Sequence, residues 1–124
     1  MRKEMNIYKC NNCGKIIEDI KGEEKEIICC GEKMQKAVAN SVDAAFEKHI
    51  PQYEIKEDKI IARVNHVMEE EHYIEWIAIV NEKKEIRVNL QPNDSTEVEF
   101  PYMENATIYA YCNKHGLWKN EVEK

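Results

Sequence analysis

The cysteines and histidines of this 124-residue chain fall into two separate groups. The first quarter of the chain holds four of the five cysteines, as Cys10-x-x-Cys13 and the adjacent pair Cys29-Cys30, and it holds no histidine. The rest of the chain holds all four histidines and the fifth cysteine: His49, His66, His72, Cys112 and His115. Because thiolates and imidazoles are common ligands of zinc and iron, this partition predicts two metal sites of different character.

The four N-terminal cysteines are the ligand set of a closed tetrahedral site. In the Cys10-x-x-Cys13 knuckle a tight turn brings two sulfurs together, and Gly14 permits the backbone turn that follows. Both sulfurs of Cys29-Cys30 can reach one metal only where the backbone turns sharply, so we expect distorted coordination. Ligand type leaves structural zinc and iron both open, whereas a disulfide between the adjacent cysteines would close a strained ring.

The second group, with four imidazoles and one thiolate, exceeds what a tetrahedral structural zinc requires. An octahedral-preferring, redox-active metal such as iron is the better candidate, and five protein ligands would leave its sixth position open. A small substrate can bind at an open position. The sequence therefore predicts the catalytic centre here, and a purely structural zinc module is the less fitting alternative.

Size suggests a metal-stabilised mini-domain joined to a larger body, with the boundary between Ala37 and Asn40. No stretch has the length of a secretory signal or of a membrane span, which predicts a cytoplasmic protein without a membrane partner. In that reducing compartment the cysteines are expected to be ligands rather than disulfide partners.

The charge balance bears on possible partners. Asp and Glu outnumber Lys and Arg by 24 to 18, giving a net charge of -6, and no basic stripe is present, so we expect no nucleic-acid partner. An anionic substrate would need a local positive patch to approach such an acidic protein.

Short segments with alternating apolar residues follow the boundary and are separated by turn-forming residues. About seven strands with frequent turns predict an antiparallel β-sandwich. The predicted strands are 38–46, 52–55, 60–68, 73–80, 85–90, 96–100 and 107–111, with a helical turn as an alternative for 43–49. Trp76, Trp118, Tyr73 and Tyr111 are interpreted as core or site-wall residues, and Asn113 as a turn former.

Three segments around the histidines resemble superoxide reductase. They are Glu47-Lys48-His49-Ile50-Pro51, His66-x-Met68-x-x-x-His72-Tyr73-Ile74-x-Trp76-Ile77 and Tyr109-x-Tyr111-Cys112-Asn113-x-His115-Gly116-Leu117-Trp118. Together with Cys10-x-x-Cys13-Gly14 and Cys29-Cys30-Gly31-x-x-Met34, nearly the whole chain resembles desulfoferrodoxin, the two-iron form of that family. One departure is Val67, since many relatives have proline directly after the histidine that corresponds to His66.

The resemblance implies a mainly β protein with two domains and two iron ions per chain. Residues 1–37 would form a small desulforedoxin-like domain whose iron is bound by Cys10, Cys13, Cys29 and Cys30. Residues 38–124 would form an immunoglobulin-like antiparallel β-sandwich. Its iron would have four equatorial imidazoles and one axial thiolate, from His49, His66, His72, His115 and Cys112.

The resemblance also implies an activity, the reduction of superoxide to hydrogen peroxide without release of dioxygen. Lys48 would supply positive charge and order a water that protonates the product, and Glu47 would close onto the ferric centre after product leaves. A rubredoxin-like protein would donate electrons to a homodimer in the cytoplasm of an anaerobe. The alternative is an electron carrier, or a sensor of reactive oxygen or nitric oxide, that uses the same two irons without catalysis.

Overall fold

The computed structural model describes residues 2–123, and within them it contains β-strands and one short 3₁₀ helix but no α-helix. The chain divides into two compact units, one formed by Met5–Val38 and the other by residues 2–4 and 39–123. The small unit precedes an antiparallel β-sandwich, which confirms the predicted fold class. Within the described residues, no helix is long and apolar enough to span a membrane.

The small unit is built from very short strands: β1 (Ile7–Lys9), β2 (Ile16–Glu18), β3 (Ile28–Cys29), β4 (Glu32–Lys33) and β5 (Gln35–Lys36). Strand β1 pairs antiparallel with β2 and β5, while β3 and β4 form a separate hairpin. Its buried cluster consists of Tyr8, Cys10 and Met34, with Ile17, Ile27 and Cys29 packed against it. Such a small core provides little stabilisation, so we expect this unit to depend on a metal for folding.

The larger unit has two sheets. Its elements are a 3₁₀ helix (Phe46–Lys48) followed by β6 (Gln52–Lys56), β7 (Lys59–Arg63), β8 (Ile74–Val80), β9 (Glu85–Asn89), β10 (Glu97–Pro101), β11 (Thr107–Cys112) and β12 (Gly116–Glu121). One sheet has the order β10-β7-β6 and the other β12-β11-β8-β9, with antiparallel pairing between neighbours. The buried core contains residues from both sheets, among them Ile60, Phe100, Ile77 and Ile108.

A β-bulge lies in the centre of the four-stranded sheet, close to the end of β11. Tyr111 pairs with Trp76, but the next residue, Cys112, pairs with Ile74 instead of Glu75. The extra residue reverses the alternation of β8, so that Ile74 joins Ile77 in the core cluster and Glu75 does not. The bulge thereby keeps a carboxylate out of the core beside Cys112.

One predicted strand is absent, and one observed strand was not predicted. Residues 38–46 form no strand, because Asn40 has a left-handed backbone (φ 59°) and the chain beyond it ends in the 3₁₀ helix. Strand β12 was missed because its buried residues, Leu117, Trp118 and Val122, do not alternate regularly. Its pairing with β11, from Cys112 opposite Gly116 onward, is what makes it a strand.

The predicted strand 60–68 is shorter than expected. Strand β7 ends at Arg63, so His66 and Met68 lie in the connection to β8. The alternation continues through Val64, which is fully buried and whose N–H donates to the carbonyl of Thr96 at 3.3 Å, but the pairing with β6 and β10 ends at Arg63.

Candidate metal centres

All five residues of the histidine-rich group lie at a strand end or within three residues of one. His49 precedes β6, His66 follows β7, His72 precedes β8, Cys112 ends β11 and His115 precedes β12. Antiparallel pairing places the start of β6 beside the end of β7, and the end of β11 beside the starts of β8 and β12. The five potential ligand atoms lie within 4.8 Å of one another.

The hydrogen bonds of His49 determine which of its nitrogens faces the centre. Its Nδ1 lies 2.7 Å from the carbonyl oxygen of Ala45, so Nδ1 carries the proton and donates it. The unprotonated Nε2 then lies 3.1 Å from Nδ1 of His115. Two nitrogen lone pairs at that distance repel each other unless a proton or a cation lies between them.

His66 is oriented in the same way. Its Nδ1–H donates to the carbonyl oxygen of Val67, and its Nε2 lies 3.5 Å from the sulfur of Cys112. Nδ1 of His115 lies 3.8 Å from the same sulfur. Since the acceptor for His66 is a backbone carbonyl, which proline would also provide, the departure at Val67 preserves this hydrogen bond.

His72 supplies the clearest sign of a missing partner. Its Nε2 is buried and, within the described residues, has no hydrogen-bond partner. A buried ring nitrogen without a partner is costly, whereas a metal ligand needs that nitrogen free. Burial lowers the pKa of both His66 and His72, which favours the neutral imidazole that can bind a metal.

Cys112 is fully buried at the end of β11. Burial raises the pKa of its thiol, while hydrogen bonds from the backbone N–H groups of Lys114 and His115 oppose that effect. The turn after Cys112 therefore presents its amides to the sulfur, an arrangement that stabilises a thiolate bound to a cation.

Glu47 and Lys48 lie in the 3₁₀ helix that leads directly into His49, and both side chains are exposed. The backbone N–H of Lys48 donates to Ala45, and that of His49 donates to Phe46. The helical turn thus fixes His49 through its backbone and its ring while its two charged residues stay in solvent. Neither side chain lies in the buried cluster of ligand candidates, so the roles predicted for Glu47 and Lys48 stay predictions.

The four N-terminal cysteines form the second cluster, with sulfur atoms within 4.8 Å of one another. The sulfur of Cys29 lies 3.7 Å from that of Cys13 and 4.0 Å from that of Cys30. Cys30 has a left-handed backbone (φ 54°), as does Gly31 (φ 74°), between the paired strands β3 and β4. This is the sharp turn that adjacent cysteine ligands require, and it is unusual for a residue with a side chain.

Electrostatics indicates that this sulfur cluster needs a cation. The backbone N–H of Cys13 donates to the sulfur of Cys10 and lowers the pKa of that thiol to about 6. The neighbouring sulfur of Cys10 instead raises the pKa of Cys29 to about 12. Four sulfurs this close cannot all ionise without a positive ion among them, so the cluster fits a thiolate-bound metal.

Two residues contribute more to the histidine-rich site than their sequence interpretation suggests. Trp118 stacks on His49, with ring centroids 4.8 Å apart, and its indole N–H donates to the carbonyl of His115 at 3.1 Å. Asn113 makes side-chain hydrogen bonds to Tyr73 and Glu71, on either side of His72. Their positions beside ligand candidates were visible in the sequence, but the contacts depend on how β8, β11 and β12 pair.

Comparison with protein families gives two adjoining matches. Residues 41–121 match the family model described as desulfoferrodoxin, and residues 2–37 match that of the desulfoferrodoxin N-terminal domain. A desulfoferrodoxin of Syntrophotalea carbinolica is 42% identical over 125 residues, covering 98% of this chain and 99% of the relative.

Solved structures give a similar result. The superoxide reductase of Treponema pallidum matches 95% of this chain and 99% of its own, with a TM-score of 0.74 and 26% identity. The superoxide reductase (1Fe-SOR) of Giardia intestinalis matches 63% of this chain and 99% of its own, with a TM-score of 0.56 and 25% identity.

Proposed function

This chain belongs to the desulfoferrodoxin family, and from that premise we propose that it is a superoxide reductase. In the reaction, superoxide accepts one electron and two protons and becomes hydrogen peroxide, and no dioxygen forms. The observation that carries the proposal is the convergence of four imidazoles and one thiolate at one end of the sandwich. The likeness to two solved superoxide reductases supports the same assignment.

The family implies iron, and the donor set fits it. In the proposed site His49, His66, His72, His115 and Cys112 hold one iron, and Cys10, Cys13, Cys29 and Cys30 hold a second. Bound iron would supply one electron and an open coordination position. We take residues 1–37 and 38–124 as the two domains that carry these centres.

The side chains at the histidine-rich centre have different proposed roles. Neutral imidazoles add no negative charge, so they do not repel an anionic substrate. The Cys112 thiolate would donate electron density to bound iron. Lys48 attracts superoxide to an otherwise acidic protein and orders a water that supplies a proton. Glu47, two residues before His49, would supply a carboxylate to bound iron after product has left.

The remaining parts of the proposal concern the electron donor, the oligomeric state, the cellular location and the role of the four-cysteine centre. We propose a rubredoxin-like protein as electron donor, a homodimer as the working assembly, and the cytoplasm of an anaerobe as the location. The all-sulfur centre either passes electrons to the larger centre or stabilises the small domain.

Product yield tests the proposed activity. Iron-loaded protein with a catalytic reductant receives superoxide, and the hydrogen peroxide and dioxygen formed are counted against the uncatalysed background. One peroxide per superoxide without enzymatic dioxygen is the expected result. Half a peroxide with dioxygen would indicate dismutation, and no accelerated loss of superoxide would favour the electron carrier or sensor.

A further inference from the structure

The side-chain amide of Asn113, the residue after Cys112, forms hydrogen bonds on both sides of His72. Its Oδ1 accepts the backbone N–H of Tyr73 at 3.0 Å, and its Nδ2 donates to the carbonyl of Glu71 at 2.9 Å. Its backbone N–H donates to the carbonyl of Tyr73 at 3.2 Å. Three hydrogen bonds therefore join the two neighbours of His72 to the neighbour of Cys112.

The β-bulge explains why a side chain makes these bonds. Beyond the bulge, Cys112 pairs with Ile74, and the next residues along, Asn113 and Tyr73, lie opposite each other. Strand β11 ends at Cys112, so the amide of Asn113 takes the place that a further peptide group of the strand would hold. A side-chain amide presents the same donor and acceptor as a peptide, so it can extend the ladder.

The loop that carries His72 needs such an attachment. The backbone of His72 pairs with Glu69 inside its own loop, with N–H to oxygen distances of 3.1 and 3.0 Å. Those two bonds shape the loop but do not attach it to β11. The attachment to the strand that carries Cys112 comes from the residues on each side of His72, and both of them bind Asn113.

We propose that Asn113 is a positioning residue that holds His72 at a fixed distance from Cys112 before metal binds. The inference rests on the proposed function, because it takes His72 and Cys112 as ligands of one metal. A ligand on a loose loop loses conformational freedom when it binds, and this loss weakens binding. Fixing the loop in advance removes that cost from the binding step.

The test compares Asn113→Ala and Asn113→Asp with the control Asn81→Ala, all in the full-length protein. The side chain of Asn81 makes three hydrogen bonds, accepting from the N–H groups of Lys83 and Lys84 at 2.9 Å and donating to the carbonyl of Glu104 at 3.0 Å. Asn81 directly follows the C-terminal end of β8, whereas His72 lies just before the N-terminal end of that strand. The control therefore removes a comparable side-chain amide that follows a neighbouring strand of the same sheet, away from the ligands.

The first readout is the affinity of the histidine-rich site for Co²⁺, measured by competition with a chelator and followed by thiolate-to-cobalt absorption. We expect Asn113→Ala to weaken binding by roughly tenfold to a hundredfold, the usual effect of losing a residue that orients ligands. Asn113→Asp should have a smaller effect, and Asn81→Ala should have none. Cobalt binding by the four-cysteine site serves as an internal control and should not change.

The second readout is hydrogen exchange of the Tyr73 amide in metal-free protein. We expect faster exchange in Asn113→Ala but retained protection in Asn113→Asp, whose carboxylate can still accept the bond. Unchanged Tyr73 exchange or unchanged cobalt affinity in Asn113→Ala would overturn the proposal, as would equal loss of affinity in Asn81→Ala.

The wild-type protein separates failure of this inference from failure of the proposed function. If it binds no cobalt through a thiolate and imidazoles, the proposed function fails, and the ligand role assumed for His72 fails with it. If it binds cobalt normally and Asn113→Ala does as well, the inference about Asn113 alone is wrong.

Discussion

Backbone carbonyls orient two of the four imidazoles in the histidine-rich centre. His49 donates to Ala45 and His66 donates to Val67, so in both rings Nδ1 is occupied and Nε2 is free. Every residue type has a backbone carbonyl, so these hydrogen bonds constrain the local backbone more than the identity of the acceptor residue. Variation at position 67 is therefore compatible with a preserved site.

Lys48→Ala should slow the reaction of the ferrous protein with superoxide by up to about tenfold, because it removes a cation next to a ligand candidate in a protein of net charge -6. The loss should shrink as ionic strength rises, since salt screens exposed charges. Stopped-flow or pulse-radiolysis rates measure the effect. The matched control is Lys83→Ala, in the exposed turn between β8 and β9. Second-order rates equal to wild type at every ionic strength would contradict the role of Lys48.

Glu47→Ala should leave the first reaction with superoxide nearly unchanged but alter the absorption spectrum of the ferric protein. A carboxylate is expected to bind the oxidised centre only after product has left, so its removal affects the resting ferric state. Glu47→Gln is the control for size, and it should alter the spectrum as well because an amide is a weaker ligand. A ferric spectrum identical to wild type in both variants would count against carboxylate ligation.

At the scale of elements, β12 links the core of the sandwich to the histidine-rich centre. It begins at Gly116, whose backbone is left-handed (φ 79°), directly after His115. Two residues later Trp118 is fully buried, stacks on His49 and donates to the carbonyl of His115. Strand β12 thus supports both His49 and His115, the first and the last of the five ligand candidates in the sequence.

Trp118→Phe should lower the free energy of unfolding of the sandwich by about 2 kcal/mol, through the smaller ring and the unsatisfied His115 carbonyl. It should also weaken Co²⁺ binding at the histidine-rich centre. Trp76→Phe is the control, because Trp76 is buried and stacks on Tyr111 rather than on a ligand candidate. Denaturant unfolding and cobalt titration measure the two effects. Equal cobalt affinities for the two variants would show that Trp118 acts through stability alone.

At the scale of the whole molecule, the two candidate centres share no ligand. The four-cysteine cluster lies entirely within Met5–Val38, and the histidine-rich cluster lies entirely within the larger unit. The larger unit also has an extensive apolar core of its own, whereas the core of the small unit includes Cys10 and has Cys29 packed against it. We therefore expect loss of one metal to affect only the unit that binds it.

Cys13→Ser should remove metal from the small unit and unfold Met5–Val38, while the sandwich keeps its fold and its own metal. Hydrogen exchange across the chain and metal analysis measure this outcome. Peroxide formation with a chemical reductant should persist. Turnover with a rubredoxin-like donor then separates the two roles, because an electron relay would fail and a structural centre would not. Unfolding of the sandwich in this variant would contradict the independence of the two units.

Ligand types and their order were readable from the sequence because metal chemistry depends on residue identity. The two groups of cysteines and histidines predicted two sites, and the neighbours of those residues carried the resemblance that the family matches confirmed. Apolar alternation located six of the strands of the sandwich within a few residues, since side chains on one face of a strand must be buried together.

Tertiary structure decided what depends on pairing between distant segments. Val38–Phe46 alternates as a strand would, yet Asn40 turns the chain and its side chain hydrogen-bonds the backbone of Lys119 in β12. The attachment of Asn113 to the His72 loop likewise follows from contacts between segments about 40 residues apart in sequence. Residue identity specifies which ligands are available, but their common position at one end of the sandwich arises from strand pairing between segments that are distant in sequence, such as β8 with β11.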